Sequence, residues 1–200
     1  MQHSKDGSES QPPAQRRDGN ATSGDRRGEF QRRAREQLLF DLAILDLGLG
    51  CFNRAYLVHR AREEIARRSR YGQRLSVLLL EVDRRLRGAR DSEQRESMLN
   101  EIVAVARLAV RPTDILARWQ PAELLLLLPG TGLAGATRFA RRLCAAVEAM
   151  APNRADSALA VSVGLATSLG RDEPLELLVQ RARGGLVDAR TALPGRPGIG

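Results

Sequence analysis

Apolar residues follow two rhythms along this chain, and the rhythm changes from segment to segment. At 30–45 they recur about every fourth position (Phe30, Ala34, Leu38, Leu42, Leu45), which predicts a helix. Asn53 is of the type that caps a helix N-terminus, and Leu57, Ala61 and Ile65 line one face after it. That helix is expected to reach about Arg70 and to break at Tyr71-Gly72-Gln73. The unbroken apolar run at 75–82 has strand length and predicts a buried central strand. A charged connection at 84–92 leads to a helix over 93–110, with Met98, Ile102, Val105 and Ala109 inward. Short strands at 115–119 and 124–128 flank a turn, and Pro129-Gly130-Thr131-Gly132 closes the hairpin. A helix over 133–150 follows, with Phe139, Leu143 and Val147 on one face. The last strand is expected at 158–166 and the last helix at 174–191, weakened by Gly184-Gly185. Alternating helices and strands with one hairpin predict an α/β or α+β domain, a sheet covered by helices.

Composition bounds this picture. Two hundred residues allow one ordinary domain with tails. Residues 1–29 are rich in Ser, Gly, Gln, Pro and Asp and are expected to be a disordered tail, not a signal peptide. Residues 192–200, rich in Pro and Gly, are expected to be a flexible tail. No run reaches the roughly 20 apolar residues of a membrane span, so a cytoplasmic location is expected. Cys51 and Cys144 lack metal-type spacing, and His3 and His59 are isolated, so neither metal nor cofactor is expected. The net charge is +8, and Lys5 is the only lysine, so arginine carries the excess. Arginine suits phosphate and guanine, but no basic run is interleaved with aromatics, and nucleic acid is an unlikely partner.

Several motifs together resemble one family. Asp46-Leu-Gly-Leu-Gly-Cys-Phe-Asn-Arg54 is similar to the opening motif D-x-L-T-G-L-x-N-R of GGDEF (diguanylate cyclase) domains. Leu78-Leu-Leu-Glu-Val-Asp83 is similar to the strand L-L-L-D-I-D, and Val161-Ser-Val-Gly-Leu-Ala166 to V-S-I-G-V-A. Leu125 to Pro129, and Ala182 with Leu186 to Arg190, resemble the strand after the signature and the closing helix. The resemblance spans about 46–191. It implies a palm-like fold, a mostly antiparallel central sheet flanked by helices, preceded here by the helix at 30–45.

The resemblance also implies a chemistry, which this sequence departs from. A diguanylate cyclase holds Mg²⁺ with two carboxylates and approaches GTP phosphates through a glycine turn. Here Glu81 stands where the first of these acids would be. The signature turn reads Gln120, Pro121, Ala122, Glu123 and Leu124. Proline has no N–H and a fixed φ, and Ala122 has no oxygen to offer a metal. The guanine-reading Asn would fall near 87–89, where there is none, and the later Asp falls near Glu96. Glu81 and Glu123 read equally as strand-end carboxylates, solvated or paired with an arginine such as Arg118. The expectation from this turn is a degenerate domain with no catalytic residues, not an enzyme.

The inhibitory motif R-x-x-D is kept at the family's offset, as Arg111 and Asp114. An arginine fork can donate to guanine O6 and N7 or to phosphate, and an aspartate can accept from guanine N1–H and its amine. The resemblance implies cyclic di-GMP as the ligand, with Arg142 or Arg138 on the following helix as secondary contacts; Arg142 has the better offset. The pair reads alternatively as a relic of an active ancestor or as a local salt bridge that ends the helix. The leading expectation is a cyclic di-GMP receptor signalling through an unknown protein partner, with a homodimer possible. A ligand-independent scaffold and a residual cyclase are the rivals.

Overall fold

The protein is described from a computed structural model, which covers residues 23–82, 92–150, 161–170, 172–191 and 197–200. The expected connection at 84–92 lies, except for Ser92, outside the described residues, as do the guanine-reading positions 87–89, residues 158–160 of the expected last strand and residues 1–22 of the expected tail. Two compact units, 1–39 and 40–200, divide the chain.

The described part of the first unit belongs to helix α1 (Ser23–Ile44), which starts seven positions before the expected Phe30. Residues 23–29, expected in the disordered tail, are thus helical. Phe30, Leu38 and Leu39 on it are exposed, and Arg32 and Glu36 pair at i,i+4 spacing.

The second unit holds α2 (Arg54–Tyr71), β1 (Leu75–Val82), α3 (Ser92–Ala109), β2 (Ile115–Gln120), β3 (Glu123–Pro129), α4 (Leu133–Ala149), β4 (Val161–Thr167), α5 (Leu175–Thr191) and β5 (Gly198–Ile199). The sheet order is β2-β3-β1-β4-β5, antiparallel except for the last pair. This is the mostly antiparallel sheet with flanking helices that the motifs implied.

Strand β1 sits at the centre because it is apolar on both faces, and every residue in it is buried. Period two then sorts its side chains. Leu78, Leu80 and Val82 share a core with Leu126, with Ile102 of α3 and with Leu143 of α4. Val77 and Leu79 face the other way, with Leu125, Leu127, Leu57 of α2 and Leu178 of α5. Asn53 caps α2 as expected, accepting from the Tyr56 N–H at 2.9 Å, and Gly72 ends it at φ 68°. Cys51 and Cys144 are free and buried, and burial pushes both thiols up to about 11.

The end of the chain departs from expectation. Within the segment expected to be a flexible tail, Gly198–Ile199 pairs with β4 as a parallel edge strand. Gly185 explains it. A Cβ on Gly198 would lie 1.8 Å from the Gly185 carbonyl oxygen, and one on Gly200 would lie 1.7 Å from that of Arg181. The glycine pair read as a helix weakness is where the strand backbone lies against α5.

Candidate functional site

Two groups of charged side chains lie toward opposite ends of β1. At its far end the register sets Glu81 directly opposite Glu123 on β3. Both acids are almost fully buried, and both point to the α5 side of the sheet. Arg183 grips Glu123 with two bonds, 2.5 and 2.8 Å, and Arg190, two turns further along α5, pairs with Glu81. The hydrogen bond to Glu123 holds the Arg183 pKa above its usual value.

Arg118, the expected partner of these acids, is engaged elsewhere. It bonds Glu96 bidentately at 2.7 and 2.6 Å, reaches Asp46 at 3.5 Å and donates to the Pro121 carbonyl at 2.7 Å. Hydrogen bonding to Glu96 raises its pKa in turn. Pairing of Glu81 and Glu123 with arginine is therefore observed, with different arginines from the one expected. The turn residues Gln120, Pro121, Ala122 and Leu124 follow the same edge, with Leu124 buried in the core and Gln120 exposed. The metal that the motif resemblance implies does not suit this arrangement. Both acids already hold arginines, Ala122 offers no oxygen, and among the described residues no three His, Cys, Asp or Glu side chains are grouped to hold an ion.

At the near end of β1 lies a cavity of about 410 Å³. Arg111 and Asp114 enter it from the α3–β2 link, Arg138 and Arg142 from α4, and Arg74 from the start of β1. The structure thus brings together all four expected contacts; Arg141 is not in the wall. Residues 111–114 form a tight turn. The Asp114 N–H donates to the Arg111 carbonyl at 3.0 Å, and Asp114 Oδ2 accepts the Arg111 N–H at 2.9 Å. This is a backbone bond rather than the helix-ending salt bridge weighed above, and it uses only one carboxylate oxygen. Asp114 Oδ1 is buried without a hydrogen-bond partner. Burial raises the Asp114 pKa, against the backbone bond and charge of Arg111, which lower it.

The arginines of this cavity differ from those at the other end. Among the described residues, Arg74, Arg111, Arg138 and Arg142 make no ion pair; Arg142 lies 5.5 Å from the Phe139 ring centroid. Four cations thus face one carboxylate. Arg74 and Arg183 were not singled out from sequence, and Arg190 entered only as the end of the closing-helix motif, without a partner. Nothing in the spacing of an arginine before a strand, or of two on a distant helix, distinguishes them from solvent-facing charges.

The description "Diguanylate cyclase, GGDEF domain" matches residues 43–194, and the chain belongs to the GGDEF family. It is similar to the diguanylate cyclase DgcP of Pseudomonas aeruginosa, 30% identical over 154 residues, which cover 75% of this chain and 23% of DgcP. Its fold is similar to the diguanylate cyclase SiaD of the same organism, solved with its activator SiaC, with a TM-score of 0.71 and 28% identity over 88% of this chain and 68% of that one. It is also similar to the coiled coil and GGDEF domain of DgcB from Caulobacter crescentus in complex with c-di-GMP (TM-score 0.75, 18% identity, 88% and 96% covered). The chain spans about a third or less of the length of its curated relatives, 35% and 23%.

This membership corrects one expectation. The altered turn was read as marking a protein that is not an enzyme, yet the family is one of diguanylate cyclases and the curated relative DgcP is such an enzyme. A turn sequence by itself does not set the chain apart from them. Among the described residues, no helix is long and apolar enough to cross a membrane.

Proposed function

We propose that the cavity at the near end of β1 binds cyclic di-GMP, and that the protein passes the signal to a protein partner. Arg111 and Asp114 are the primary contacts, and Arg142 and Arg138 the secondary ones. The observation that carries this is the buried, partnerless Oδ1 of Asp114, on a wall whose arginines make no ion pair among the described residues. A buried acceptor without a donor costs about 1–3 kcal/mol, and a guanine N1–H with its amine supplies what is missing. The unpaired arginines suit phosphates and the guanine O6 and N7. DgcB, of the same fold, was solved with this ligand, which supports the reading.

Calorimetric titration with cyclic di-GMP tests it. Micromolar binding is expected, with at least a hundredfold loss in Arg111→Ala/Asp114→Ala. A flat titration for the unaltered protein sinks the proposal. The exposed Phe30, Leu38 and Leu39 of α1 are where a partner or a second copy would dock. A ligand-dependent change in particle mass, measured by light scattering with purified protein, is the outcome expected for a second copy.

A further inference from the structure

We propose that Arg74 is a fourth arginine of this pocket, seated by the missing side chain of Gly132, and that it binds a phosphate of the ligand. The inference rests on the cyclic di-GMP reading above and adds a residue that no family motif marks.

Its position follows from the register. Leu75 pairs with Pro129, so the residue before it lies beside the turn 130–132. That turn is anchored from below: Ser76 Oγ donates to the Thr131 carbonyl at 2.8 Å and, its one proton used, accepts from Thr167 Oγ1 at 2.7 Å. The Arg74 side chain then lies across Gly132. A Cβ there would stand 2.7 Å from Arg74 Cδ, 2.8 Å from Nη1 and 3.4 Å from Nε.

The backbone does not explain this glycine. Gly132 caps α4 at φ −94° and ψ 175°, an extended conformation open to any residue, and makes no side-chain cap bond. Glycine is itself a fair N-cap, and Ser, Asn or Asp at that position would stabilise the helix by roughly a few tenths of a kcal/mol more. A side chain there would strike the arginine. Gly130, at φ 66°, is the glycine the turn itself needs, and nothing lies near its absent side chain.

Charge supports phosphate as the target. Among the described residues of the wall, Asp114 is the only carboxylate, enough for one guanine edge together with Arg111. The remaining arginines make no ion pair among the described residues, and a cyclic dinucleotide brings two phosphate charges. Arg74 is exposed and lies across Gly132 at the pocket wall, where its guanidinium can meet a phosphate.

A double-mutant cycle tests the inference. Cyclic di-GMP affinity is measured by calorimetry for the unaltered protein, Arg74→Ala, Gly132→Ala and the two combined, with circular dichroism confirming the fold. Arg74→Ala is expected to weaken binding about tenfold, and less so at high salt, where a phosphate contact is screened. Gly132→Ala is expected to weaken it by displacing Arg74. The combined variant should then bind no worse than Arg74→Ala alone. Unchanged affinity in Arg74→Ala, with Arg111→Ala/Asp114→Ala still inactive in binding, overturns this inference and leaves the pocket reading intact. Additive losses overturn the seating role of Gly132. No binding by the unaltered protein overturns both readings together.

Discussion

The two ends of β1 both gather arginines, and they use them in opposite ways. At the Glu81 end four of the described guanidiniums have partners: Arg183 holds Glu123, Arg190 holds Glu81, Arg118 holds Glu96 and Asp46, and Arg54 stacks 4.3 Å from the centroid of Trp119. At the Arg74 end four guanidiniums surround a cavity with one carboxylate, itself only half satisfied. Composition cannot tell these ends apart, since both are arginine-rich in an arginine-rich chain. Pairing can. Charges satisfied within the chain stabilise or position it, whereas charges left facing a cavity await an external partner.

The comparison can be broken from either side. The largest effect is expected from Gly164→Ala. A Cβ there would meet the Ala182 carbonyl oxygen at 1.9 Å and push α5, with Arg183 and Arg190, away from the sheet. A loss of about 3 kcal/mol in urea unfolding is expected, and an unchanged midpoint would show that α5 does not need this close approach. Next comes Glu123→Gln, which leaves Arg183 without its anion. About 2 kcal/mol should be lost, tempered by the partial exposure of Arg183, with cyclic di-GMP affinity untouched. A matching loss of affinity would mean that the two ends are not independent.

Arg142→Ala should give the converse result. Affinity falls about tenfold while the urea midpoint stays put, because no ion pair within the described residues depends on it. The smallest effect is on pH dependence. Asp114 must be ionised to accept from guanine, and burial raises its pKa. Affinity should therefore fall with falling pH, starting above the ordinary carboxylate range. Titrations across that range test this, and a profile like that of an unburied aspartate would count against burial as the cause.

Much of the fold was legible from one-dimensional pattern. The leucine runs of β1 and β3, the fourfold spacing in α2 to α4 and the Asn53 cap all encode local structure, and each appeared close to where it was expected. The R-x-x-D pair and the arginines of α4 were legible because a motif fixes their offset. What escaped was set by register and by contacts distant in sequence. Arg183 meets Glu123 across sixty positions, and only the packing of α5 decides that it does. Arg74 gains meaning only through the Leu75–Pro129 pairing. Strand β5 was hidden because its residues are the usual vocabulary of loops, and the fit of Gly198 and Gly200 against α5 is a matter of shape rather than hydropathy.

The facing of Glu81 and Glu123 also bears on the order in which the molecule assembles. Two carboxylates directly opposite in neighbouring strands repel, and more so as water leaves. Among the described residues, Arg183 and Arg190, which pair with them, arrive on α5, late in the chain. Strands β1 and β3 can therefore join from the Leu75–Pro129 end early, while the Glu81 end stays open until α5 docks. Pulse-labelled hydrogen exchange during refolding should then protect the Ser76 amide, which faces β3 near the Leu75–Pro129 end, before that of Leu80; simultaneous protection would remove the electrostatic delay.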